Sequence, residues 1–139
     1  MPDHYLKAIA MTDPLAADRE RGTAFLPRFD ANGLLTAVAI DRKTKDILML
    51  AHMNADALKR TIETREGWFW SRSRKSLWKK GESSGNVLRV SEMKVDCDQD
   101  AVLLKVTVTG DGKTCHTGRR SCFHRAIPLG GGNTTLTFD

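Results

Sequence analysis

The chain has 139 residues, of which 40% are apolar and 28% charged, and its net charge is +5. These values are ordinary for one globular domain and argue against a disordered or fibrous protein. The longest apolar run, residues 47–51, is five residues long. A membrane-spanning helix needs about 20, so no contact with a membrane is predicted. The N-terminus shows no basic stretch followed by an apolar one, so we predict no secretory signal and a cytoplasmic location.

The first half of the chain predicts a helix, a turn and a hairpin. Residues 12–14 are typical of a helix start with proline in the first turn, and Gly22 is typical of its end. Asn-Gly at residues 32 and 33 predicts a turn. Residues 35–41 and 47–52 are then expected to be two strands of a hairpin, joined by a polar connection.

A second helix is predicted over residues 55–66, with Asn54 as its N-cap and Gly67 at its end. Leu58 and Ile62 lie one turn apart, which places both on the inner face.

The second half of the chain predicts strands. They are expected over residues 87–95, 101–109, 122–127 and 134–138. The sequence therefore predicts a single α+β domain over residues 1–139, with a mostly antiparallel sheet and two helices. Residues 1–25 are expected to be an N-terminal extension.

The positive charge is concentrated in two stretches, residues 71–80 and 112–126, which contain no acidic residue. Such patches attract polyanions or phosphorylated small molecules. A solvated basic face is the alternative.

Three acidic residues alternate at Asp96, Asp98 and Asp100. In an extended chain their side chains point to one face, where they would repel one another unless a cation lay among them. Oxygen ligands of this kind suit Mg²⁺ or Ca²⁺. An EF-hand is excluded, because its glycine and glutamate positions hold Ala101 and Thr107. A solvated acidic turn is the alternative. By the same alternation Cys97 would point away from its acidic neighbours.

The three cysteines, Cys97, Cys115 and Cys122, are an odd number in a chain without a secretory signal, so a disulfide framework is not expected. Metal ligation, a reactive thiol and simple burial stay open. Three thiolates are the ligand number of a catalytic zinc, which keeps one position for water. His116 could be a fourth ligand or a general base.

All three tryptophans fall within residues 68–78 and are followed by arginines, serines and glycines. Indole rings stack on nucleobases and arginines bind phosphate in a bidentate manner. The segment could form a nucleotide pocket, an RNA-binding face, or a core strand with arginines facing water.

These features, in this order, resemble the phosphoribosyl-AMP cyclohydrolase family of histidine biosynthesis. The resemblance covers roughly residues 30–125, and the residues that carry it are LMLA-x-MN at 48–54, WSRSR at 70–74, LW at 77–78, KGE-x-SG at 80–85, DCDQDA at 96–101 and CHTG-x-x-SCF at 115–123.

The resemblance implies a hydrolase that adds water to C6 of the adenine ring of N1-(5-phosphoribosyl)-AMP, a small-molecule substrate. The N1–C6 bond breaks, which gives the formimino-aminoimidazole-carboxamide ribotide. Zinc, which lowers the pKa of a bound water to about 7, is implied at Cys97, Cys115 and Cys122, and magnesium at Asp96, Asp98 and Asp100. His116 has the position of the proton-transfer group. The implied substrate-binding residues are Trp70, Ser71, Arg72, Ser73, Arg74, Lys80, Gly81, Glu82, Ser83, Ser84 and Gly85.

The resemblance also implies an intertwined homodimer with zinc ligands contributed by both subunits. The chain departs from the family pattern at His52, where an aromatic residue is more usual, and at Leu88, where glutamine is common. We expect only the cyclohydrolase step, because the chain has no room for a second catalytic domain.

Two other functions compete with this interpretation. An RNA-binding module with a structural zinc would use the tryptophans and arginines, but it has no use for three aspartates that repel a phosphate backbone. A purine deaminase also directs water to C6 of adenine, but its H-x-E and P-C-x-x-C signature is missing from the sequence. We therefore expect no nucleic-acid partner.

Overall fold

The computed structural model describes residues 14–139. Its elements in chain order are α1 (Ala16–Arg21), β1 (Leu35–Asp41), β2 (Ile47–Met53), α2 (Ala55–Thr64), β3 (Trp68–Ser71), β4 (Ser76–Lys79), β5 (Leu88–Val95), β6 (Ala101–Val108), β7 (Arg125–Ala126) and β8 (Thr137–Phe138). Neither helix in this part of the chain is long and apolar enough to cross a bilayer.

Four strands form the main sheet, in the order β2-β1-β6-β5. The outer pairs, β1–β2 and β5–β6, are antiparallel, whereas the central β1–β6 pair is parallel. Two antiparallel hairpins, β3–β4 and β7–β8, complete the structure. The predicted α+β class, with mostly antiparallel sheets and two helices in the described residues, is confirmed. The sequence did not predict the parallel central pair.

Strand alternation builds the core on one face of this sheet. Leu35, Ala37 and Ala39 of β1 are buried, since every second residue of a strand points to the same side. They belong to one apolar cluster with Leu58 of α2 and Phe69 of β3. Helix α2 and the β3–β4 hairpin therefore cover this face of the main sheet. This packing fixes the turn between β3 and β4 relative to the end of β2.

The predicted start of α2 is confirmed, and its predicted end is wrong. The Asn54 side chain accepts a hydrogen bond from the Ala57 N–H at 2.9 Å. The helix ends at Thr64, and the capping residue is Arg65, in the left-handed region with φ of 59°, rather than Gly67. The N–H of Arg65 donates to the Thr61 carbonyl, which closes the last turn two residues earlier than a Gly67 end would allow.

The predicted inner face of α2 is wrong for one residue. Leu58 is buried, but Ile62 is 49% exposed. Thr61 is buried instead, because its hydroxyl donates to the Ala57 carbonyl at 2.8 Å and accepts from the Trp68 N–H at 3.0 Å. These hydrogen bonds satisfy a polar side chain in the core and turn the helix so that Ile62 faces outwards.

The predicted strands otherwise appear close to their expected places. Helix α1 agrees with the predicted stop at Gly22, while Thr12 and Asp13 lie outside the described residues. The two strands predicted near the C-terminus shorten to the two-residue strands β7 and β8, since Pro128 and three consecutive glycines interrupt the segment between them.

Candidate functional site

Residues 96–100, here named the acid turn, connect β5 to β6 as a compact turn. One Asp96 carboxylate oxygen accepts hydrogen bonds from the N–H groups of Asp100 and Ala101, both at 3.1 Å. Gln99 lies in the left-handed region with φ of 59°. The predicted extended conformation is therefore wrong, and the argument that placed Cys97 on the opposite face loses its basis.

The acid turn nevertheless brings the three predicted carboxylates together. Oxygen atoms of Asp96, Asp98 and Asp100 all lie within 4.8 Å of one another. The Asp98 carboxylate, followed by desolvation and the Asp96 carboxylate, raises the pKa of Asp100 to about 6. A hydrogen bond from Asp100 lowers the pKa of Asp98. Like charges at this separation favour a shared proton or a cation, and the oxygen donor set fits Mg²⁺.

Cys115 and Cys122, here named the thiol pair, are brought together by a loop. The Cys115 N–H donates to the Arg119 carbonyl at 3.0 Å, and Gly118, with φ of 86°, turns the chain. The Cys122 N–H donates to the Leu48 carbonyl at 2.7 Å, which anchors this residue to β2.

The two thiols differ in acidity. Burial works against ionisation of Cys115, but hydrogen bonds from the hydroxyl and N–H of Thr117 outweigh it and lower the pKa of that thiol. Partial desolvation, followed by the neighbouring Cys115 sulfur, raises the pKa of Cys122 to about 11. A cation between them would remove this mutual repulsion, and sulfur ligands are suited to zinc.

The third cysteine does not join the thiol pair within one chain. Within residues 14–139 the acid turn is the only group of three or more potential metal-ligating side chains in mutual reach, and Cys97 is exposed. The acid turn precedes β6 at the end of the sheet where His52 lies, next to the last residue of β2, whereas the thiol pair is bound near the start of β2 at Leu48. Along β2, the four-residue step from Leu48 to His52 spans about 13 Å.

The predicted residues 70–74 line an open cleft of about 610 Å³, here named the arginine cleft. They form the end of β3 and the turn to β4, where the Arg74 N–H donates to the Ser71 hydroxyl at 3.2 Å. Trp70 is half-buried, and Trp78 of β4 lies in the same lining. The cleft combines indole surfaces with two guanidinium groups, which suits an aromatic base and a phosphate.

The second predicted segment, residues 80–85, is here named the glycine loop. Gly81 has φ of 87°, and a Cβ atom there would lie 2.3 Å from the Asn86 carbonyl carbon, so only glycine fits. The charge of Lys80 lowers the pKa of Cys115, after the larger effects of burial and Thr117. The glycine loop therefore lies beside the thiol pair.

His116 follows the buried Cys115 directly and is exposed, free to face a bound molecule. Its role as the proton-transfer group stays a prediction, and the geometry assigns its side chain no fixed partner among the described residues.

Sequence reasoning gave no role to His52, which the structure places in the arginine cleft. Partial burial, followed by the charge of Arg72, lowers the pKa of His52. The sequence did contain a signal for this position. His52 is two residues after Leu50 on β2, and alternate residues of a strand share a face, so both could have been placed in the same cleft. Sequence reasoning also gave no role to Gln99 and Asn86. Both are buried, and both make side-chain hydrogen bonds to distant parts of the chain.

Comparison with known proteins gives a consistent result. A sequence model described as phosphoribosyl-AMP cyclohydrolase matches residues 49–124. Curated proteins of that name include one from Brucella canis, 59% identical over 118 residues, which are 85% of each chain. Others come from Nitrobacter hamburgensis, 61% identical over 86% of this chain and 80% of the relative, and from Nitrobacter winogradskyi, 61% identical over 84% and 79%.

Proposed function

The chain belongs to the phosphoribosyl-AMP cyclohydrolase family and is a hydrolase, and from this premise we propose that it opens the adenine ring of N1-(5-phosphoribosyl)-AMP. Water oxygen adds to C6 and the N1–C6 bond breaks. N1 keeps the electron pair of that bond and takes up a proton, and the product is the formimino-aminoimidazole-carboxamide ribotide of histidine biosynthesis. The observation that carries this proposal is identity of about 60% to proteins named phosphoribosyl-AMP cyclohydrolase over about 85% of this chain.

The arginine cleft and the glycine loop are the proposed substrate-binding surfaces. The phosphate groups of the substrate would meet Arg72, Arg74 and Lys80, and the purine would stack on Trp70. The backbone of the glycine loop would approach the substrate closely, because Gly81 and Gly85 carry no side chain, while the Gly85 N–H donates to the Gly81 carbonyl at 2.8 Å and holds the loop together. The cytoplasm is the proposed location, since a substrate with two phosphate groups does not cross membranes unaided.

Zinc is proposed to bind the thiol pair together with Cys97 of a second copy. One chain supplies two adjacent sulfurs, and the acid turn that carries Cys97 lies at the other end of the sheet. Three thiolates are therefore available only across two copies. When bound, zinc would supply the Lewis acidity that lowers the pKa of a coordinated water. His116, one residue after Cys115, is proposed to move the proton from this water towards N1.

A homodimer is proposed because one face of the main sheet carries apolar residues that α2 does not bury. Leu50, Val38 and Leu103 are neighbours across β2, β1 and β6. Leu50 is 48% exposed and the other two are only partly buried. A second copy packed on this row would remove apolar surface from water, which is the main favourable contribution to association. Magnesium is proposed at the acid turn, on the convergence of its carboxylates.

Turnover of phosphoribosyl-AMP tests the reaction. Purified protein with Zn²⁺ and Mg²⁺ is expected to open the ring, to stop after chelation and to recover when the metals return. His116→Ala is expected to keep its zinc and lose roughly 10²–10⁴ in turnover, the usual contribution of a proton-transfer group. A folded, metal-loaded dimer without turnover would refute the proposed substrate, and a small loss in His116→Ala would assign the proton transfer to another group.

Subunit complementation tests the shared zinc site. Cys97→Ser and Cys115→Ser chains are each expected to be inactive. When they are co-expressed in equal amounts, about half of the dimers are mixed and each has one intact site, so about a quarter of wild-type turnover is expected. The matched control combines Cys115→Ser with Cys122→Ser. Because those two ligands come from the same subunit, no mixed dimer has an intact site, and recovery in this control would refute the arrangement.

A further inference from the structure

Gln99 is buried although it lies in the middle of a surface turn. Its residue exposure is 4%, whereas the aspartates that flank it are more exposed. Its φ of 59° is in the left-handed region, which a non-glycine residue adopts at a cost of about 1 kcal/mol or more. Interactions of the side chain must offset that cost.

Those interactions reach a segment more than 70 residues earlier in the chain. The Gln99 side-chain oxygen accepts from the Leu26 N–H at 2.8 Å. Its amide nitrogen donates to the carbonyls of Arg19 at 3.0 Å and Ala24 at 3.1 Å. The Gln99 carbonyl accepts from the Arg28 N–H at 2.7 Å. Both amide protons are used, so the side chain acts as a clamp on residues 19–28.

A cleft of about 940 Å³ lies beside the acid turn. Its lining includes Asp100 of the acid turn, Arg28 of the clamped segment and the adjacent Phe29. The same turn hydrogen-bonds to the main sheet through the Thr36 N–H, which donates to the Asp100 carbonyl at 3.3 Å. Residues 19–28 and β1 thus hold the acid turn from two sides.

We infer that Gln99 is a positioning residue, which fixes the three carboxylates of the acid turn for a divalent cation by binding residues 19–28. The inference rests on the proposed function, because it takes magnesium to be the cation. It gives the segment before β1 a role in the site. Pre-arranged carboxylates bind a cation more tightly than mobile ones, since less conformational freedom is lost on binding.

Gln99→Gly is the sharpest variant for a test. Glycine adopts the left-handed region without strain, so the turn keeps its backbone while all three side-chain hydrogen bonds disappear. Gln99→Asn is the second variant, because it keeps the amide and tolerates this backbone but is too short to reach all three partners. Thr61→Val is the matched control, since it removes buried hydrogen bonds to Trp68 and Ala57 and none to residues 19–28 or 96–100.

Mg²⁺ titration calorimetry on the full, zinc-loaded chain is the primary measurement, with hydrogen exchange of residues 19–28 alongside. We expect Gln99→Gly to bind Mg²⁺ about tenfold more weakly, which corresponds to about 1.4 kcal/mol, and Gln99→Asn about threefold more weakly. The Leu26 amide is expected to lose protection, and zinc content is expected not to change. Turnover is expected to recover at saturating Mg²⁺, which a general loss of structure would not allow. Thr61→Val is expected to bind Mg²⁺ as the wild type does.

Three results would overturn the inference, and they are distinguishable. If the wild type binds Mg²⁺ and both Gln99 variants bind it within twofold, the clamp does not position the carboxylates. If the wild type binds no Mg²⁺, or binds it equally well after Asp98→Asn, the magnesium assignment itself is wrong and the inference falls with it. An equal loss of affinity in Thr61→Val would also overturn it, because the effect would then be a general loss of stability.

Discussion

Replacing Asn86 by alanine should destabilise the protein well beyond the average surface substitution. Asn86 is 7% exposed and joins the glycine loop to the segment that leads to the thiol pair. Its side-chain nitrogen donates to the Lys113 carbonyl and its oxygen accepts from the Asp111 N–H, both at 3.0 Å. A Cβ on Gly110 would lie 2.2 Å from that oxygen, so the two segments pack too closely for another side chain to replace these contacts.

The expected loss follows from these two hydrogen bonds. Each contributes about 1 kcal/mol net, and a partner left buried without a hydrogen bond costs about 1–3 kcal/mol. Since both hydrogen bonds are only partly buried and their partner residues Asp111 and Lys113 are exposed, we expect a total of about 2–3 kcal/mol for Asn86→Ala. With a urea dependence of about 2 kcal/mol per molar, the unfolding midpoint should fall by about 1–1.5 M.

Urea unfolding followed by tryptophan fluorescence would measure this loss, at one protein concentration, because the proposed association of two copies would contribute to the apparent stability. Asn133→Ala is the matched control. Asn133 also accepts a backbone hydrogen bond, from Thr135 at 2.9 Å, but this contact is exposed. We expect the control to change stability by less than about 0.5 kcal/mol. An Asn86→Ala loss as small as that of the control would refute the claim that Asn86 holds the two segments together.

Three further substitutions test other contacts. Asn54→Ala removes the N-cap of α2 and is expected to lower the unfolding free energy by about 1 kcal/mol, with Asn54→Ser close to wild type. Thr61→Val keeps the shape but leaves the Trp68 N–H unpaired, and should cost about 1–3 kcal/mol. A hydrogen bond from Arg120 lowers the pKa of Asp46. The stability from this pair is present above pH about 4 and is lost as pH falls further. Arg120→Met also removes the ion pair with Asp41. Its unfolding curves should therefore differ from wild type at pH 7, and the difference should shrink as pH falls below about 4, whereas a constant difference would contradict the pairing.

Local signals in the sequence predicted local structure well. The β1–β2 hairpin and the Asn54 cap depend on residues within a few positions of each other, so their patterns suffice. The end of α2 was harder, because Arg65 adopts the left-handed conformation and Thr61 takes a core position through a hydrogen bond to Trp68. Neither preference is visible in hydrophobic periodicity.

The sequence predicted which residues form the candidate site better than it predicted how they are arranged. The three aspartates converge as expected, but a turn brings them together rather than strand alternation. The separation of Cys97 from the thiol pair depends on which strands are neighbours in the sheet, and no local pattern encodes that. The Gln99 clamp likewise joins parts of the chain too far apart for spacing arguments to connect.

The parallel pairing of β1 with β6 also sets an order in which this chain can fold. Thr36 pairs with Ala101. Bringing these two residues together closes a long loop, which is slow because it costs conformational entropy. During synthesis the β1–β2 hairpin can form early, but its open edge has no partner until β6 has left the ribosome. We therefore expect pulse-labelling exchange to protect β2 amides before those of β6, and the exposed edge of β1 to be the point at which an incomplete chain aggregates.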